Sequence, residues 1–70
     1  MQAAWPEVAG RTIAEEAEPV SARQGAVTVA CRSATWAHEL ELLSSDLRGA
    51  LNARLGANSV RRLRFVVRDP

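Results

Sequence analysis

Between Ser33 and Gly56 the sequence carries one continuous signal that constrains everything around it. At about 100° per residue, Trp36, Leu40, Leu43, Leu47, Ala50 and Leu51 fall in a single stripe, while His38, Glu41, Ser45, Arg48 and Asn52 line the opposite side. Ser33 offers a side-chain acceptor at the N-cap, and Gly56 suits the left-handed residue that ends a helix. The pattern predicts one helix over 34–55. Its stripe must be covered, and a chain of 70 residues has room for one core only. Residues 1–70 are therefore expected to form a single domain. Leu42 lies off the stripe beside Asp46 and Gly49, where it either covers the flank of a sheet, the favoured reading, or meets a partner.

Strand patterns on either side supply that sheet. Val20 to Arg23 reads as a short strand, Gln24 and Gly25 as a turn, and Ala26 to Arg32 as a second strand with Val27, Val29 and Cys31 on one face. After a turn at 57–59, Leu63, Phe65 and Val67 alternate with Arg62, Arg64, Val66 and Arg68, which predicts a third strand with an arginine-lined outer face. At the front, Trp5, Val8, Ala9 and Ile13 recur at helical spacing, with Pro6 in the first turn and Glu7 four residues before Arg11, so a helix is expected over about 3–16. Gly10 inside it suggests a place where another element approaches too closely for a side chain. The expected order is α-β-β-α-β, an α+β two-layer sandwich with two helices on one face of a three-stranded sheet.

Much chemistry is excluded by what the chain lacks. Cys31 is the lone cysteine and His38 the lone histidine, too few for an internal disulfide or a structural zinc shell. All nine basic residues are arginine, which removes the lysine-containing phosphate loop and Schiff-base catalysis. His38, Ser45 and Asp46 share one helix, and eight residues of helix separate His38 from Asp46 by about 12 Å, so they cannot converge as a triad. Glu15, Glu16 and Glu18 read as a solvated helix end, Cys31 as a small core residue, and Trp5 and Trp36 as core anchors. No enzyme, cofactor, metal or small-molecule substrate is indicated. No apolar run approaches the roughly 20 residues of a membrane span, and the opening MQAAWPEVAGRT has no basic start or apolar block, so a cytoplasmic location is expected.

The net charge of +1 conceals a strong asymmetry: residues 1–22 carry −3, residues 23–47 carry −1 and residues 48–70 carry +5. A basic C-terminal third points to an anionic partner. Arg62, Arg64 and Arg68 are expected on one face of the last strand, with Arg61 adjoining and Arg32 ending the neighbouring strand. Alternate side chains on a strand lie about 6–7 Å apart, close to the spacing of phosphates along a nucleic-acid strand. The competing reading is an edge strand whose charge merely protects it from aggregation.

Five short blocks, in order, give the chain a family resemblance: Trp5-Pro6-Glu7-Val8-Ala9-Gly10, Gly25-Ala26-Val27-Thr28-Val29, Ser33-Ala34-Thr35-Trp36-Ala37-His38-Glu39-Leu40, Leu51-Asn52-Ala53-Arg54-Leu55-Gly56 and Val60-Arg61-Arg62-Leu63-Arg64-Phe65. Together they resemble the DciA family, bacterial proteins that assist the replicative helicase. The resemblance implies a KH-like fold, DNA binding, and the replicative helicase as protein partner, loaded without nucleotide hydrolysis by the accessory protein itself. The chain contains no Gly-x-x-Gly, so the backbone clamp of true KH domains is missing. Two other readings fit the same residues: a KH-like RNA-binding module, and a structural interaction domain whose arginines only solubilise it.

Overall fold

Gln24 and Gly25 both adopt positive φ, 51° and 84°, which gives the two-residue turn whose twist matches that of paired strands. The turn joins β1 (Ala17–Arg23) to β2 (Ala26–Cys31) as an antiparallel hairpin. The computed structural model describes residues 4–56 and 59–68; the first residue of the expected N-terminal helix and most of the turn at 57–59 lie outside them. β1 begins three residues earlier than its pattern suggests. It is an edge strand, the position where a sheet tolerates Pro19, and a bulge between Pro19 and Ser21 restores the register. β3 (Arg62–Val67) lies parallel to β2 on the other side, giving a mixed sheet of order β1-β2-β3.

A parallel β2–β3 pair needs a long crossover, and the helical segment after Ser33 provides it. The Ser33 hydroxyl accepts from the Trp36 N–H at 3.2 Å, and Gly56 ends the segment at φ 77° with its N–H on the Asn52 carbonyl at 2.9 Å. Both caps stand where the sequence puts them. The helix between them, however, is two: α3 (Ala34–Leu42) and α4 (Ser44–Leu55). At the joint Leu43 has φ −98° and ψ 4°, and its N–H bonds the Leu40 carbonyl one residue short of α-helical spacing. Ser44, Ser45 and Asp46 follow, residue types that favour a first turn over a helix interior, with Asp46 near the positive end of the α4 dipole. The bend splits the expected stripe: Leu40, Leu47 and Leu51 are buried, whereas Leu43 is 43% exposed and Ala50 also faces solvent. Leu42 is 69% exposed, which contradicts the favoured reading of a residue covering the flank of the sheet.

The N-terminal helix is also divided, into α1 (Trp5–Ala9) and α2 (Arg11–Glu16). Gly10 lies between them at φ 92° and ψ 160°, a conformation open essentially to glycine alone. A Cβ built there meets nothing within 4 Å, so the backbone requires this glycine and close approach does not. The break also disposes of the expected Glu7–Arg11 pair. Arg11 pairs instead with Glu15 at 3.6 Å, and Glu7 with Arg54 on α4.

The four helices among the described residues serve one core. Trp5, Val29, Cys31, Leu40 and Leu51 are its most deeply buried large side chains, joined by Val27, Val60 and Leu63, with Trp36 and Phe65 partly buried against it. The indole N–H of Trp5 donates to the Ala17 carbonyl at 2.9 Å, which satisfies the polar atom that burial would strand. Val67 alternates toward this side of β3 but lies at its end and remains 51% exposed. Among the described residues no helix is long and apolar enough to cross a membrane.

Candidate nucleic-acid interface

Strand register decides which side chains share the uncovered face of the sheet. Paired residues point to the same side, so Val27 with Leu63 and Val29 with Phe65 face the helices. The rows Arg23–Ala26–Arg62, Ser21–Thr28–Arg64 and Glu18–Ala30–Val66 face away. Arg23, Arg62 and Arg64 are exposed there around the short side chains of β2, so the guanidinium groups stand above a low floor. Arg23 and Arg62 flank Ala26 two strand spacings apart, about 10 Å. Arg23 escapes sequence reasoning because it precedes a turn and only the hairpin register carries it to this face.

The five arginines expected to act together fall into three groups. Arg62 and Arg64 occupy the open face as anticipated. Arg61, one residue before the strand, turns aside: its side chain lies against the hairpin turn, where a Cβ on Gly25 would come within 2.9 Å of its Cγ. Its N–H and that of Arg62 both donate to the Gly25 carbonyl, at 2.7 and 3.1 Å. Arg32 and Arg68 stand at the far end of the sheet, lining a hollow with Glu15, Glu16 and Glu18. Arg68 bridges to Glu18 across the face at 3.3 Å. That end is therefore mixed in charge. The three glutamates expected at a solvated helix end thus share this end of the sheet with arginines, and Glu18 lies on β1 itself.

The basic end is enlarged instead by α4. Arg48 donates from Nη1 to the Arg61 carbonyl at 3.0 Å, and with Glu41, Ser44, Ser45, Arg62 and Arg64 it lines a groove between the α3–α4 bend and β3. Asn52 holds the start of β3 in place. Its Nδ2 donates to the Val60 carbonyl at 2.9 Å, and its Oδ1 accepts the Val60 N–H at 2.7 Å, as a neighbouring strand would. Helical periodicity assigns Arg48 and Asn52 to a solvated face; their roles depend on the returning strand, which periodicity does not contain. Arg23, Arg48, Arg61, Arg62 and Arg64 thus cluster at the hairpin end, with Glu41 the acid among the groove residues.

Cys31 is buried, and burial pushes its thiol above the ordinary value, which suits a core residue and opposes thiolate chemistry. His38 is exposed, and among the described residues no group of three His, Cys, Asp or Glu side chains could hold a metal ion.

Residues 1–65 match the family described as Dna[CI] antecedent, DciA. A UPF0232 protein of Rhodococcus jostii is 35% identical over 61 residues, which is 87% of this chain and 32% of that protein. A UPF0232 protein of Mycobacterium tuberculosis is 33% identical over 61 residues, 87% of this chain and 33% of the relative. One from Streptomyces avermitilis is 36% identical over 62 residues, 86% and 34% respectively. The chain spans about a third of the length of these curated relatives.

Proposed function

We propose that this chain, which belongs to the DciA family, is a DNA-binding accessory domain that assists recruitment or loading of the bacterial replicative helicase. Family membership supports a role in bacterial DNA replication. The observation that carries DNA contact is the exposed Arg23–Arg62–Arg64 cluster on a sheet face whose central strand offers only Ala26, Thr28 and Ala30. These arginines can neutralise phosphates, while the small side chains between them provide no aromatic platform on which bases could stack. Binding is therefore to the backbone, without strong sequence preference, and RNA readout through stacked bases is disfavoured. The domain itself is non-catalytic: it positions DNA near the helicase and leaves nucleotide hydrolysis to it. A KH-like relationship accords with a helix-backed three-stranded sheet, with the DNA lying on the sheet and not in a Gly-x-x-Gly clamp.

Titration of a labelled DNA duplex at several salt concentrations tests the contact. Two to three neutralised phosphates give a slope of log K against log salt of about −2 to −3. Arg62→Glu with Arg64→Glu abolishes binding at unchanged melting temperature, whereas Arg68→Ala has a smaller effect because Glu18 already engages that guanidinium. Unaltered binding in the double variant removes this face from the reading. Co-chromatography with the cognate replicative helicase tests the partner separately. Failure of both this chain and a longer relative to associate at micromolar concentration refutes the helicase role; association by the longer protein alone locates the contact outside these 70 residues.

A further inference from the structure

β3 is an edge strand whose free edge opens into the groove beside the α3–α4 bend. The pairing with β2 fixes which of its backbone groups remain available. Arg62 N–H donates to the Gly25 carbonyl and Arg68 N–H to the Cys31 carbonyl, so in a parallel ladder the even-numbered residues bond β2. Leu63, Phe65 and Val67 turn their N–H and C=O groups outward. At the start of the edge Arg48 already occupies the Arg61 carbonyl, so the open ladder begins at Leu63.

We propose that this edge is a strand-addition site for an extended, acidic segment of a protein partner. The edge presents donors and acceptors in alternation, and a peptide backbone answers both. A phosphodiester backbone answers only the donors. Charge selects the occupant further. Arg62 and Arg64 project beside any added strand on the outer face, and Arg48 stands at its end, so acidic side chains at alternate positions meet opposite charge. A second copy adding through its own β3 brings two arginine-bearing strands together, which disfavours homodimerisation by this edge. The same charges thus protect the strand from its own kind and admit an acidic one. The inference is independent of DNA binding, although the two ligands share Arg62 and Arg64.

The test uses the 70-residue chain and a fluorescein-labelled octapeptide of alternating glutamate and valine. Fluorescence anisotropy is measured for this peptide and for two versions N-methylated at every valine or at every glutamate. An added antiparallel strand bonds through the valine amides and a parallel one through the glutamate amides, because the bonding residues differ between the two ladders. One methylated set therefore weakens binding by about tenfold or more, and the other leaves it nearly unchanged. Hydrogen exchange at Leu63, Phe65 and Val67 slows in the complex, and Arg62→Glu with Arg64→Glu removes binding. Equal tolerance of both methylated sets overturns the proposal, since attraction by charge alone ignores the backbone. So does the absence of binding, or protection of the three edge amides by a DNA oligonucleotide and not by the peptide. In each of these cases the DNA titration above still stands or falls on its own salt slope.

Discussion

Gly10 and Gly49 are both exposed, and a Cβ added at either meets nothing within 4 Å, yet opposite outcomes are expected for alanine. At Gly10 the backbone stands at φ 92° and ψ 160°. An L-residue held there costs about 1–3 kcal/mol. At Gly49, inside α4, φ is not positive, and alanine gains about 1 kcal/mol by helix propensity. The two variants should therefore differ by roughly 2–4 kcal/mol although neither changes a contact. In a domain of this size each kcal/mol moves the melting temperature by about 4–8 °C, so the gap is plain in thermal or urea unfolding. A chemically synthesised chain with D-alanine at position 10 sharpens the test, since the D-residue favours positive φ and narrows the unfolded ensemble. It should be at least as stable as the parent. If L-alanine at position 10 unfolds at the same urea concentration as the parent, or D-alanine is as damaging as L-alanine, the backbone explanation of the α1–α2 break is wrong.

Four other perturbations follow from burial and bonding. Leu51→Ala empties a fully buried site and should cost about 2–5 kcal/mol, while Leu43→Ala, at 43% exposure, should cost well under half as much by urea titration. Asn52→Ala leaves the Val60 N–H and C=O without their side-chain partner and should cost about 1–3 kcal/mol, with faster exchange of the Val60 amide. Cys31 has its thiol raised above 9.0 by burial, so the native state retains a proton that the unfolded chain releases. Its contribution is complete below the unfolded pKa and is lost as pH rises through that value toward the native one, so urea midpoints should begin to fall near pH 9 in the parent and not in Cys31→Ala.

Local chemistry made some features legible before the fold. Ser33 and Gly56 are recognisable as caps because the groups they bond lie within four residues, and Gln24–Gly25 is recognisable as a turn because its geometry needs no distant partner. The arginine alternation of β3 is equally local, and Arg62 and Arg64 stand where it puts them. Periodicity reads straight through Gly10 and Leu43, because hydrophobic spacing survives a change of helix axis that the backbone does not. The site is less legible than the fold. Arg32 and Arg68 look like members of a basic row until β1 lays Glu18 beside them, while Arg23, Arg48 and Asn52 join the basic end through register and strand return. Residue spacing along one strand contains neither relation.

β3 has three faces with different physics, which is why its proposed roles can be separated. Leu63 and Phe65 point into the core, Arg62 and Arg64 into solvent, and the odd-numbered backbone groups along the open edge. Changing an exposed arginine leaves the buried apolar contacts and the β2 ladder intact, so its effect on stability should stay within about 0.5 kcal/mol. Methylating a peptide ligand leaves the protein untouched altogether. Loss of DNA binding without loss of fold therefore reports on the outer face. Loss of peptide binding that depends on which amides are methylated reports on the edge. Changes at Leu63, Phe65, Val60 or Asn52 instead disturb the strand itself, and these should weaken both ligands together with stability. An arginine variant that lowers the melting temperature as much as Leu51→Ala would mean that the three faces are coupled, and neither binding result could then be assigned to its own surface.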